Sequence, residues 1–223
     1  MDELRKRKIA YSDSMLRSSS NTRFSAGALA NLLRYLGDPQ SAAKLALAYK
    51  VWRREDRQDE DARRLLDETI EIIRKCSNLE TYLYPGLAED WLIETGLETA
   101  NPDIHMNLVQ FRSLVQRWQA AILLPIDQLV LTLAQDLLTQ PAELAIAHKL
   151  ALLLRRAHND HPAWRLPELT EELAVIARNE RRFLGFSGED TGFDPDQYKG
   201  KVVVTTMHKA KGLEWERVYL MSV

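Results

Sequence analysis

Cysteine is almost absent. Cys76 stands alone among 223 residues, which excludes an internal disulfide and a cysteine-built metal cluster. Histidine is sparse as well: the five are scattered, and none forms the HExxH spacing of a zinc protease. His158 and His161 lie close together, but nothing completes metal-ligand spacing around them, and the pair reads as part of a solvated loop. No apolar stretch reaches the roughly 18 residues that a membrane helix needs. The greasiest segments, 120–138 and 142–154, are broken by Asp127, Gln128, Gln135 and Asp136, and by His148 and Lys149. Charge of one sign is missing too. Thirty basic residues face 32 acidic ones, for a net charge of −2, which excludes a chain that coats nucleic acid by bulk charge but not a local patch. The first residues, MDELRKRKIAYSD, are basic without an apolar core after them, so they do not read as a secretory leader. A cytoplasmic protein is expected.

The residues present read mainly as helices. Hydrophobic residues make up 45% of the chain and charged residues 28%, enough to bury a core in one large domain or two small ones. Leu29, Leu32, Leu33 and Leu36 recur at helical spacing, with Ser25 as an expected cap and Gly37-Asp38-Pro39 as a stop. Further helices are expected over 41–55, 59–76, 87–94 and 101–124. Pro125, Pro141 and Pro167 each sit at the start of another, because proline fits a first turn. Segment 53–64, with five arginines and five acids, reads as a solvated helix end laced with ion pairs, and 17–25, rich in Ser, Arg and Asn, reads as a loop. Arg155, Arg156, His158 and Arg165 read as a basic helix end. So do Arg178, Arg181 and Arg182. Trp52, Trp91, Trp118 and Trp164 read as core.

Both ends differ from this helical array. Residues 9–16 are a short strand candidate. Residues 185–201, with four glycines, read as a linker, and two strand-like runs follow, KVVVTT and ERVYLMS. Between them lies HKAKGLEW, too short for a full crossover helix, so a single helical turn plus loop is expected. In α/β sheets the loops after strand C-termini line ligand crevices. His208, Lys209 and Lys211 fall at such a position. Gly212 permits close backbone approach, and Glu214 suits a ribose hydroxyl.

The string TTMHKAKGLEWERVYL, residues 205–220, resembles motif V of the UvrD/Rep-type (superfamily 1) ATP-dependent DNA helicases: a strand, then T-x-H-x-A-K-G-L-E-[FW], then a second strand. Thr206, His208, Ala210, Lys211, Gly212, Leu213, Glu214 and Trp215 fill it. Upstream, ELRKRKIAYSDSM is similar to the family segment after motif IV, with Lys8 and Ala10 where the family has glycine and proline. LANLLRYLGDPQSAAKLAL and LPIDQLVLTLAQDLL resemble helices of the family's inserted domain.

The resemblance implies a mainly α chain. Residues 1–24 form an edge of a split, second RecA-like domain. Residues 25–184 form the inserted all-helical domain, 185–200 a linker, and 201–223 the RecA-like strands with motif V. It implies single-stranded DNA contacts at Thr206 and His208, and nucleotide contacts at Lys211, Gly212 and Glu214, with Trp215 packed inward. ATP and Mg²⁺ belong to the full-length protein. DNA, single-stranded or at a duplex junction, and the remaining RecA-like domains are the implied partners. The chain has no Walker A loop, no Walker B strand and no motif VI, so no catalytic residue and no metal site is expected in it, and it is not expected to hydrolyse ATP by itself. Its stop at Val223 fits a boundary in a longer protein. Exposed strand edges make self-association a further expectation. The competing reading is an all-helical protein-interaction or regulatory module without DNA contact.

Overall fold

The computed structural model describes residues 2–12, 18–86, 89–181, 183, 198–205, 207–210 and 214–221. It is mainly helical, with one small parallel sheet. Helix α1 (Asp2–Lys6) leads into β1 (Tyr11–Ser12). The helical body runs through α2 (Ser20–Leu36), α3 (Ala42–Trp52), α4 (Glu60–Arg74), α5 (Leu79–Leu83), α6 (Trp91–Glu94), α7 (Leu97–Ala100), α8 (Pro102–Ala120), α9 (Ile126–Leu137), α10 (Pro141–Asp160) and α11 (Leu166–Ala177). Strand β2 (Val202–Val203) and the short helix α12 (Met207–Ala210) follow. Among the described residues no helix is long and apolar enough to cross a membrane.

The helices start where short polar side chains satisfy the first backbone N–H groups. Ser19, Ser41, Asp59, Asn78, Asp90 and Asn101 each accept a hydrogen bond from the turn they open. Helix α2 lies at the centre, packed against α3, α9, α10 and α11. It begins at Ser20 and not after Ser25. The Ser19 hydroxyl oxygen accepts from Thr22 N at 3.2 Å, while Ser25 is wholly buried inside the helix. The polar run 17–25 reads as loop by composition, but burial of Thr22, Ser25 and Ala26 against neighbouring helices overrides that preference. Pro141 and Pro167 sit in first turns, and Pro125 sits one residue earlier, as the residue before α9. His158 lies in the last turn of α10, not in a loop, and His161 stacks on Trp164 at 4.2 Å.

Residues 53–64 are not uniformly solvated. Arg54 reaches across the body to Glu143 on α10 at 2.8 Å, both side chains almost fully buried, and its guanidinium lies 4.7 Å from the Phe24 ring centre. A second largely buried pair ties α8 to the residue that caps α6: Arg112 donates two hydrogen bonds to Asp90, one at 2.9 Å, and lies 5.3 Å from the Tyr82 ring. The arginine beside it holds the Asp90 carboxyl below the usual carboxylate range.

The chain enters and leaves this body at one place. The Ser18 backbone N–H donates to Asn179 Oδ1 at 3.0 Å, and the Phe183 N–H donates to Ser18 Oγ at 2.8 Å. Helix α11 ends at Ala177, earlier than its sequence suggests, because Asn179 turns the backbone with φ of 61°. Beyond that clamp, β1 and β2 pair in parallel, Tyr11 opposite Val202 and Ser12 opposite Val203. Parallel strands need a crossover connection, and here the connection carries the whole helical body. The run 216–221 forms no strand. Val218, Tyr219, Leu220 and Met221 are exposed, since a strand needs a neighbour and the described residues supply none.

Helix α1 ends in the same left-handed way. Lys8 has φ of 55°, with its N–H bonded to Arg5 O and the Ile9 N–H to Leu4 O. A side chain there carries a backbone cost that glycine avoids. Lys8→Gly is expected to stabilise the chain by about 1 kcal/mol. A denaturant midpoint that moves up at unchanged slope is the expected reading; an unchanged or lowered midpoint counts against it.

Candidate nucleic-acid interface

The β-branched run 202–205 continues from β2 into an extended segment. Val202 N–H donates to Ala10 O at 2.9 Å, and Val204 N–H to Ser12 O at 2.8 Å, which sets the run beside β1. Helix α12 begins two residues after Thr205, so the C-terminal end of β2 turns directly into the segment that carries His208 and Lys209. Of the expected helical turn plus loop, the helical turn is present as α12; residues 211–213 lie outside the described residues.

The backbone of His208 belongs to α12. Thr206, Lys211 and Gly212 lie outside the described residues. Glu214 is exposed, with its carboxylate open to solvent, and Trp215 is half-buried. Thr205 was not singled out by the motif. Its side chain is largely covered, and its Oγ1 is buried with no hydrogen-bond partner among the described residues. An uncompensated hydroxyl at a strand end carries a desolvation cost unless something bonds it. Its position next to Thr206 in a β-branched run is the only trace it leaves in sequence. Thr205 and the helical turn α12, whose backbone includes His208, follow the C-terminal end of β2, and it is at such strand ends that α/β sheets bind ligands.

Elsewhere several charged side chains pair with one another. Arg155 pairs with Asp127 at 3.5 Å, Arg181 with Glu172 at 2.7 Å, and Arg178 with Glu171 and Glu180. An open depression of about 230 Å³, lined by Pro39, Gln40, Leu79, Leu83, Tyr84 and Gln119, adjoins a hydrogen-bond chain. In it the Tyr84 hydroxyl donates to Gln119 Oε1, and Gln119 Nε2 donates to the buried Tyr35 hydroxyl. Among the described residues no three metal-ligating side chains gather. No family model, curated protein or solved structure matches the chain.

Proposed function

We propose that the chain is part of an ATP-dependent DNA helicase or translocase of the UvrD/Rep type, acting in the cytoplasm. It contributes single-stranded DNA contacts through Thr206 and His208, and one edge of the nucleotide cleft through Lys211, Gly212 and Glu214. The observation that carries the reading is the parallel pairing of β1 with β2, followed at once by α12. That is the arrangement expected if two pieces of one α/β domain flank an inserted helical domain. The left-handed Lys8 adds support, since it falls where the family segment after motif IV has glycine.

Hydroxyl and imidazole groups bond phosphate oxygens without reading base sequence, so binding is expected to be sequence-tolerant and salt-sensitive. Nucleotide binding by the whole protein would use the exposed Glu214 carboxylate as an acceptor for ribose hydroxyls. ATP supplies the free energy of phosphoryl transfer when bound, and the groups that cradle its phosphates and Mg²⁺ are not in this sequence.

Fluorescence anisotropy with a labelled single-stranded oligonucleotide tests the reading. Binding at low salt that weakens as salt rises is expected, with His208→Ala costing roughly tenfold in affinity. ATP turnover by the purified chain is expected at background. Binding that ignores both salt and His208→Ala would overturn the DNA contact and leave the all-helical interaction module as the better reading.

A further inference from the structure

We infer that the opposite end of the same two strands is a second contact for the phosphate backbone of a nucleic acid, made by the basic residues that the parallel pairing gathers there. Because β1 and β2 run in parallel, their starts lie side by side, and Val202 N–H is bonded to Ala10 O. The residues just ahead of β1 are Arg5, Lys6, Arg7 and Lys8. Those just ahead of β2 are Lys199 and Lys201. All six side chains are exposed. Within 2–12 and 198–205 the acidic residues are Asp2 and Glu3, and Glu3 serves both Lys6 at 3.2 Å and Arg7 at 3.7 Å; Asp13, Asp194 and Asp196 adjoin these segments in the sequence. Among the described residues this end therefore carries six basic side chains against two acidic residues, and we refer to it as a cationic rim. The Arg5 guanidinium donates to the Tyr11 hydroxyl at 3.3 Å, which holds it over the start of β1.

The backbone supplies an independent observation. Each strand is entered through a left-handed residue: Gly200, with φ of 76°, ahead of β2, and Lys8, with φ of 55°, ahead of β1. Glycine meets that requirement without strain. At Lys8 the chain carries a charged side chain at a position where local stability favours none. Strain held at an exposed, charged position points to use of the charge. The choice of a nucleic acid over an acidic protein or lipid rests on the proposed reading of the other end of these strands. The rim itself does not depend on motif V.

The full chain carries the test. Lys8→Gly combined with Lys201→Ala is compared with Lys75→Ala, an exposed lysine on the helical body. Binding of a labelled single-stranded oligonucleotide is titrated at several salt concentrations. The double variant is expected to bind roughly 10- to 50-fold more weakly at low salt, with its salt slope reduced by about 1.4, while Lys75→Ala stays within about twofold. The double variant is also expected to be at least as stable as the parent, so unfolding does not account for the loss. If the double variant binds as the parent does, the rim is not a contact and the inference is overturned, even where His208→Ala weakens binding. If the double variant loses affinity and His208→Ala does not, the rim stands and the motif V contact falls. Binding to anionic lipid vesicles with no oligonucleotide binding by the parent overturns the inference in favour of a membrane surface.

Discussion

Above about pH 10 the helical body is expected to lose stability at up to about 4 kcal/mol per pH unit. The cause is three tyrosines placed in the core. Tyr35, Tyr49 and Tyr82 are all essentially inaccessible to water. The Tyr82 hydroxyl donates to Leu108 O at 2.8 Å, Gln119 donates to the Tyr35 hydroxyl at 2.9 Å, and Tyr49 packs edge-on against Phe111 at 5.0 Å. Burial disfavours the phenolate and pushes all three phenols above their ordinary value.

The sign follows from proton counting. In the unfolded chain these phenols titrate near pH 10, while in the folded chain they stay protonated above it. The folded state then holds up to three more protons, so each rise in pH favours unfolding. Each proton is worth about 1.4 kcal/mol per unit, and a whole domain has only about 5–15 kcal/mol in hand. The measurement is far-ultraviolet circular dichroism alongside phenolate absorbance as pH is raised. Helix loss and a cooperative burst of phenolate are expected together, and Tyr82→Phe is expected to flatten the stability slope by about 1.4 kcal/mol per unit. Gradual phenolate formation with the helices intact is the result that sinks the idea.

Much of the fold is local and so legible in sequence. Prolines at helix starts, Ser, Asp and Asn at caps, and leucines at helical spacing identify most of the body, because each acts within one or two turns. What escapes is long-range. Arg54 looks solvated among its charged neighbours, yet its partner Glu143 is 89 residues away. Ser25 looks like a cap because nothing near it in sequence reveals the helices that bury it. The run 218–221 looks like a strand because side-chain preference is local, whereas pairing requires a neighbour. Conversely, the pairing of β1 with β2 could be expected only through the resemblance, since no local rule joins residue 11 to residue 202. At the site, the string around His208 marks the turn after β2. The partnerless Thr205 hydroxyl and the cationic rim emerge only once the strands are paired.

Replacing Trp118 by alanine is expected to cost about 4 kcal/mol. Trp118 is wholly buried near the end of α8, where its indole N–H donates to Asp136 Oδ2 on α9 at 2.9 Å. The other oxygen of Asp136 accepts from Arg117 at 2.8 Å, so one carboxylate ties two consecutive residues of α8 to α9. On its other side Trp118 meets Phe111 edge-on at 6.1 Å, and Phe111 stacks on Trp52 of α3 at 5.5 Å. Trp118 thus ties α8 to α9 and, through Phe111, backs the contact with α3. Alanine leaves a cavity among rigid rings that cannot collapse into it, which places the cost in the upper part of the range for large-to-small changes. Trp118→Phe keeps most of the volume and loses the N–H. Asp136 still holds Arg117 and reaches water, so this variant is expected to cost only about 1–2 kcal/mol. Urea unfolding separates the two if the slope is unchanged. The ordering Ala worse than Phe is the signature of a packing role. Equal losses would instead assign the stability to the Asp136 hydrogen bond, and a loss under about 1 kcal/mol for alanine would mean that the rings repack. At temperatures where Trp118→Ala is still folded, its affinity for single-stranded DNA is expected to match the parent's, because the residue's contacts all lie within the helical body.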